Sequence, residues 1–411
     1  MMTKISPLAP KRFPDMPHVP GVRVAGAACG LKRTRSPDLF LAELDAGTTV
    51  AGVFTRSRCF SAPVVWCREA LSRKRVRAIV VNSGNANAFT GLAGDRMVAR
   101  TVKAAAKMFK CPEKEIFVAS TGVIGEPVPP GYVAGKLTGM KNRLAPKAWA
   151  KAAKAIMTTD TFAKGATRQA VIGGVPVTLN GIAKGSGMIA PDMATMLSFI
   201  FTDAAIPATV LQKLLVRATS RSFNSITVDS DTSTSDTVLI CATGKGEKHR
   251  KVVSPGDRHL RDFREKLDDL MQDLAQQIAR DGEGAGKFVT IRVSGAASEK
   301  AARRIGLAVA NSPLVKTAFA GGDANWGRVV MAVGKAGEKA DRDLLSISMG
   351  GIAITRKGKI VRGYDEKPVT AHLKGREIMV EINVGVGKGC ATVWTCDLNR
   401  GYITINADYR S

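Results

Sequence analysis

Residues 184–201 read KGSGMIAPDMATMLSFIF. The small residues Gly185, Ser186, Gly187 and Ala190 loosen the chain, Pro191 interrupts any regular element, and from Thr195 onward the run TMLSFIF is strongly apolar. Such a short apolar run, rich in aromatic and branched side chains, reads as a buried strand. A loop emptying into that strand holds one hydroxyl, that of Thr195, at the mouth of a rigid element, with small residues upstream that allow close backbone approach. Taken alone, the same pattern also fits an ordinary strand-start threonine.

Working outward, short apolar strands end in glycine-rich loops and alternate with amphipathic helices. Ala78–Asn82 (AIVVN) is a strand candidate followed by turn-rich Ser83–Gly91, and Arg96–Lys110 carries apolar residues at helical spacing. Glu115–Ser120 is another strand, opening into TGVIG at Thr121–Gly125. Trp149–Met157 reads as a helix running into the polar Thr158–Asp160, and Val171–Leu179 as a hairpin around Gly173 and Gly174. Val210–Ala218 is a helix, Thr237–Ala242 a strand, and Arg258–Arg280 a long helix that stops at Asp281 and Gly282. Beyond Gly286 strands are expected at Phe288–Val293, Leu345–Ile354, Ile378–Val384, Ala391–Cys396 and Tyr402–Ile405. The expected class is α/β, a layered sandwich of mixed sheets covered by helices.

Composition removes several function classes. The 411 residues carry 61 Lys+Arg against 35 Asp+Glu, a net charge of +26, yet the basic residues are dispersed and aromatics make up only 5%. That is a solvated basic surface, favourable to anionic small substrates, rather than a nucleic-acid interface with stacking rings. No uninterrupted apolar window reaches the roughly 18–20 residues of a membrane span. The proline-broken start, Met1 to Val22, lacks the apolar core of a secretory signal, so a cytoplasmic protein is expected. Seven dispersed cysteines without CxxC spacing, and four histidines apart from them, give no metal site and no disulfide framework. Buried thiols in a reducing compartment are expected.

Two cofactor-like strings fail. Gly185–Ala190 matches the dinucleotide fingerprint, but Pro191 follows where a helix should open. Asp281–Lys287 (DGEGAGK) has Asp281 where a phosphate loop needs Gly, and Phe288 where it needs Ser or Thr. No resident cofactor is expected. The histidines His18, His249, His259 and His372 all lie outside glycine-rich turns, so a hydroxyl nucleophile here needs another base. The main-chain amine of an N-terminal threonine is one.

The Lys184–Leu197 segment resembles the cleavage motif of the glutamate N-acetyltransferase (ornithine acetyltransferase) family. So do, in order, VNSGNANAFTG (81–91), ASTGVIG (119–125), MTTDT (157–161), DGEG (281–284), SPLVKTA (312–318), GGDANWGR (321–328) and NADYRS (406–411), covering nearly the whole chain. The resemblance implies an αββα sandwich, self-processed between Ala194 and Thr195 into two co-folded chains. These are an α chain of 1–194 and a β chain of 195–411, of which 195–285 completes the α-chain core and about 286–411 forms a strand-rich C-terminal domain. It further implies acetyl transfer from N2-acetyl-L-ornithine to L-glutamate through an acetyl-Thr195 intermediate, as an α2β2 heterotetramer of arginine biosynthesis. Acetyl-CoA as an additional donor is left open.

By the same resemblance Thr195 is the nucleophile, Thr121 and Gly122 form the oxyanion hole, and Thr158, Lys184, Glu283, Asn406 and Ser411 join Thr195 in contacting substrate. Charge logic agrees at two positions: Lys184 suits a substrate carboxylate, and Glu283, just past a helix end, suits an ammonium. Read without the family, Lys184 is a surface charge, Glu283 a loop acid and the tail a frayed end. The chain departs from the family pattern at Phe89, where Cys is common, and at Ser411, where Thr is; Ser keeps the hydroxyl. Three rivals stand beside this reading. They are a self-processing aminopeptidase or amidase of the same architecture, which typically exposes Ser; an RNA binder using the basic surface; and a metal-dependent hydrolase built on Asp229, Asp231 and Asp236. The last lacks a histidine ligand, and solvated loop acids account better for that cluster.

Overall fold

In a computed structural model of the chain, residues 5–32, 34, 36–190 and 196–407 are described. The N-terminal part runs β1 (Val22–Ala27), β2 (Leu39–Leu44), β3 (Thr49–Phe54), α1 (Ala62–Ala70), β4 (Ala78–Asn85), α2 (Gly91–Phe109), β5 (Ile116–Val123), α3 (Tyr132–Lys141) and α4 (Trp149–Ala155). It continues through β6 (Lys164–Ile172), β7 (Val175–Lys184), β8 (Leu197–Thr202), α5 (Ala208–Ser220), β9 (Thr237–Ala242) and α6 (Arg261–Arg280). Two mixed sheets result, ordered β1-β2-β4-β5 and β3-β9-β8-β7-β6. Their parallel pairs are β4 with β5 and β8 with β9.

The period-2 alternation of β8 builds the layers. Leu197, Phe199 and Phe201 point toward the first sheet, where the Phe199 ring lies 5.5 Å from that of Phe40 on β2. Ile200 points the other way, with Val238 and Ile240, into a second core formed with Leu211 and Leu215 of α5 and Leu270 and Leu274 of α6. Helices α1, α2 and α3 cover the outer face of the first sheet through Cys67, Met97, Val102 and Leu137. The order helix, sheet, sheet, helix is the αββα sandwich. Phe199 and Phe201 are wholly buried, and each such side chain contributes about 1.5–3 kcal/mol relative to exposure. The hairpin between β6 and β7 turns at Gly173 (φ 59°) and Gly174 (φ 91°), which supply the paired positive φ angles of a two-residue turn.

A third sheet follows, from β10 (Phe288–Ala296), β11 (Ser346–Met349), β12 (Ile352–Arg356), β13 (Lys359–Ile360), β14 (Glu377–Asn383) and β15 (Gly389–Cys396), in the order β13-β12-β11-β14-β10-β15. Helices α7 (Glu299–Ala310), α8 (Pro313–Gly321), α9 (Trp326–Gly334) and α10 (Lys367–Leu373) accompany it, and α11 (Arg400–Ala407) ends the described chain. Phe288, Trp394 and Cys396 anchor this sheet in the second core.

Three expectations are corrected. Leu345–Ile354 is not one strand but the hairpin β11–β12, because Gly350 (φ 60°) and Gly351 (φ 78°) reverse the chain. Tyr402–Ile405 is not a strand but part of α11. Its β-branched residues find no sheet partner, and most face outward; strand preference depends on such a partner. The helix start is fixed instead by Asn399, whose Oδ1 accepts from the Gly401 N–H at 2.8 Å. Nor are the thiols uniformly buried: all seven are free, with Cys59 and Cys390 exposed. Phe89 projects into solvent, 90% exposed. Among the described residues no helix is long and apolar enough to cross a membrane.

Candidate active site

The C-terminal ends of β5 and β7, on facing sheets, bring their last residues together. Lys184 is 3% and Thr121 5% exposed, and the Lys184 Nζ donates to Thr121 Oγ1 at 3.2 Å. Gly122 sits opposite Gly84 of β4 with φ +134°. A Cβ there would come within 2.3 Å of the Gly84 carbonyl carbon, so only glycine allows the two backbones to lie so close. On β7, Lys184 pairs in register with Leu197, the first residue of β8. The residue before it, Met196, is held on both sides: its N–H donates to Asp236 Oδ1 at 2.8 Å and its carbonyl accepts from Thr237 N–H at 3.2 Å. Ala194 and Thr195 lie outside the described residues, as does Ser411.

Below this mouth lies a buried ion triad. Lys164, wholly buried, donates to Asp160 Oδ1 at 2.7 Å and Asp281 Oδ2 at 2.6 Å. Asp160 also accepts from the N–H groups of Gly185, at 2.7 Å, and Thr158, at 2.9 Å. Asp281 accepts from the Thr161 N–H at 2.9 Å, and its carbonyl accepts from the Ser186 hydroxyl at 2.5 Å. One ammonium thus ties together the loops that carry Thr158, Lys184 and Glu283.

Glu283, 7% exposed, accepts from Asn406 Nδ2 at 2.8 Å, and its own N–H donates to Ser186 at 3.2 Å. A Cβ on Gly187 would fall 2.3 Å from the Glu283 carboxyl carbon, so the glycine loop wraps this carboxylate closely. Asp229 fastens the loop's far end, accepting from Met188 and Ile189 N–H at 2.6 and 2.9 Å.

The electrostatics follow from burial and these pairings. Burial pushes the Lys184 ammonium below its ordinary value, with Asp160 opposing and Lys164 reinforcing. Burial acts against the Asp160 carboxylate too, but Lys164 and Lys184 together outweigh it and hold that carboxyl well below the usual range. For Lys164 the two carboxylates outweigh burial and raise it. Asp236, 1% exposed, is raised well above the carboxylate range by burial, which the Met196 N–H and Lys184 offset only in part.

Of the expected residues, Thr121 and Lys184 meet directly with Gly122 next to Thr121 in the chain, Glu283 meets Asn406, and Thr158 binds Asp160 of the triad. Several participants are absent from the sequence reading: Asp160, Lys164, Asp281 and Lys32. The stem of Lys32 packs over Gly84. Burial lowers its ammonium to about 8, opposed by Asp38 and Asp160 and reinforced by Lys184. The MTTDT and DGEG strings hold two of these four, and their acids were the available signal. The acids 229, 231 and 236 do not form one solvated cluster: Asp236 is buried at the mouth of β8 and Asp229 fastens a loop. No group of three metal-ligating side chains exists among the described residues. Two histidines serve the fold; Nε2 of His249 accepts from Ala205 N–H at 2.8 Å, and that of His372 from Met379 N–H at 3.0 Å.

A model of the ArgJ family matches residues 23–411. The arginine biosynthesis bifunctional proteins ArgJ of Mesorhizobium japonicum and Agrobacterium fabrum are each 55% identical, the match spanning 100% of this chain and 100% of theirs. The crystal structure of the arginine biosynthesis bifunctional protein argJ from Bacillus halodurans is 40% identical and superposes with a TM-score of 0.50, covering 52% of this chain and 100% of that one.

Proposed function

The chain belongs to the ArgJ family, and from that premise we propose that it is a self-cleaving glutamate N-acetyltransferase of arginine biosynthesis, with Thr195 as nucleophile. The observation that carries the site is the Lys184–Thr121 contact of 3.2 Å, made across two sheets at the strand mouth into which Thr195 leads. Cleavage between Ala194 and Thr195 yields chains 1–194 and 195–411. The Bacillus halodurans likeness supports chains of this size, because 52% of this chain accounts for 100% of that one.

The Thr195 hydroxyl attacks the Ala194 carbonyl, moving the acyl group from nitrogen to oxygen, and water hydrolyses the ester. The freed α-amine, with a reference pKa near 7.7–8.0, then accepts the hydroxyl proton during acetyl transfer. N2-acetyl-L-ornithine acetylates Thr195 and releases ornithine; L-glutamate takes the acetyl group by its amine, a two-step exchange. Each step passes through an oxyanion, which the Gly122 N–H and the Thr121 hydroxyl receive. With its Oγ1 accepting from Lys184, Thr121 keeps its own proton free to donate. Lys184 pairs with a substrate carboxylate, Glu283 with the ornithine ammonium, and Asn406 orients Glu283; Thr158 and Ser411 complete the substrate contacts. No resident cofactor or metal takes part. The word "bifunctional" in the relatives' names supports a second activity, for which acetyl-CoA is the donor to glutamate. The mature protein is an α2β2 assembly in the cytoplasm.

Incubating purified protein with N2-acetyl-L-ornithine and L-glutamate should release ornithine, and Thr195→Ala should release none. Transfer by the Thr195→Ala variant at the wild-type rate would overturn this assignment.

A further inference from the structure

The α-amine that serves acetyl transfer does not exist before the chain is cut. In the precursor the nitrogen of Thr195 belongs to a peptide bond, whose lone pair is delocalised into the carbonyl and does not take a proton at neutral pH. The first step, attack by the Thr195 hydroxyl, therefore needs another proton acceptor.

Asp236 is the candidate. It immediately precedes β9, and its Oδ1 accepts from the N–H of Met196 at 2.8 Å. Met196 N is bonded directly to the carbonyl carbon of Thr195, and successive Cα atoms are about 3.8 Å apart. The carboxylate thus binds the residue that directly follows the nucleophile in the chain. Its position is fixed: Thr55 N–H donates to the Asp236 carbonyl at 3.0 Å, and Met196 O takes the next N–H, that of Thr237. Its other oxygen, Oδ2, is buried and has no hydrogen-bond partner among the described residues. The nearby Thr55 hydroxyl spends its proton on the Ser233 carbonyl at 2.6 Å. Buried polar atoms left without a described partner are rare, and each calls for an explanation.

We propose that Asp236 is the proton acceptor of self-cleavage, its unpartnered oxygen taking the Thr195 hydroxyl proton. The role rests on the reading of Thr195 as the cleavage nucleophile. As Thr195 Oγ1 bonds to the Ala194 carbonyl carbon, its proton passes to Asp236 Oδ2. When the tetrahedral centre collapses, the bond from that carbon to the Thr195 nitrogen breaks, and the same proton goes to the departing nitrogen. An ester and a free amine result, Asp236 returns to its starting state, and water later hydrolyses the ester. Burial of the carboxyl makes it a stronger base than an exposed one, which suits a weakly acidic hydroxyl.

The test uses the full chain, followed by intact mass from synthesis onward. Asp236→Asn keeps an oxygen for the Met196 N–H but cannot accept the proton. Its precursor should persist at least ~100-fold longer than wild type, in line with what general-base catalysis contributes. It should also show the circular dichroism of the uncut Thr195→Ala chain. Hydroxylamine, which opens esters, should not restore cutting, because the block precedes the ester. Asp236→Asn cut at the wild-type rate, or an uncut variant that hydroxylamine cleaves at 194–195, overturns the proposal. If Asp236→Asn does not fold, Asp236→Glu decides: cutting slowed about tenfold or more, as expected for a displaced base, supports the role, and the wild-type rate overturns it. Failure of the wild-type chain itself to cut would instead remove the reading of Thr195.

Discussion

Gly122→Ala offers a sharp test of the oxyanion assignment. The added methyl would stand 2.3 Å from the Gly84 carbonyl carbon, 2.5 Å from Asn85 N and 2.6 Å from Gly84 O. All three are backbone atoms of the paired strand, so no side-chain rotation relieves the clash. Reaching an ordinary contact of about 3.4 Å requires β4 and β5 to separate by about 1 Å at their ends, and overpacking of this kind costs about 1–3 kcal/mol. The φ of +134° adds strain, for another ~1–3 kcal/mol. A donor displaced by that distance is lost to the oxyanion, which lowers kcat about 10²–10³-fold. KM for N2-acetyl-L-ornithine should change little, because the donor acts on charge that develops only in the transition state. Steady-state ornithine release, paired with urea unfolding, reads both effects. A folded Gly122→Ala enzyme within threefold of the wild-type kcat would refute the role of this backbone.

Three further outcomes follow from the same geometry. Lys164→Met leaves Asp160 and Asp281 buried without their cation, and urea denaturation should show a loss of about 3–5 kcal/mol; a loss below about 1 kcal/mol would mean the triad does not hold the loops. Gly187→Ala displaces only the end of the Glu283 side chain, so stability should change by less than ~1 kcal/mol. Losing a charge-assisted contact to the ornithine ammonium should raise KM at least about tenfold, and an unchanged KM would take Glu283 out of the substrate site. The folded-state value of Asp236 lies above its unfolded value of about 3.9. Its stability contribution is therefore complete below that pH and lost as pH rises toward the folded value. In a Thr195→Ala background, the stability of Asp236→Asn relative to Asp236 should grow as pH rises above about 4. A pH-independent difference in urea midpoints would contradict the shift.

The elements that carry their own punctuation were legible. Gly173 and Gly174 announce the β6–β7 turn, and the strands expected from 78, 115, 195 and 237 match described strands within a few residues. Patterns dominated by non-local packing were not. The strand β2 (LFLAEL) is buried along its whole length, so it shows no alternation, and α11 took its helical form despite β-branched residues because no strand was there to pair. At the site, the family resemblance marks Lys184 and Glu283, but a lone lysine in a strand does not disclose that it crosses to Thr121. Lys164 and Asp281 meet across 117 positions, and nothing local marks either as half of a pair. Asp236 reads as a solvated acid because its neighbours, Ser233, Thr234 and Ser235, look like a surface loop, yet it is buried at the start of β9.

The proposed chemistry makes a threonine first a chain start and then a nucleophile. Intact mass and N-terminal sequencing of freshly purified, active protein read both chain ends. Two polypeptides, one beginning with Met1 or Met2 and the other with Thr195, are predicted, in equal amounts. Full acetyl-transfer activity from a single unbroken 411-residue chain would contradict it.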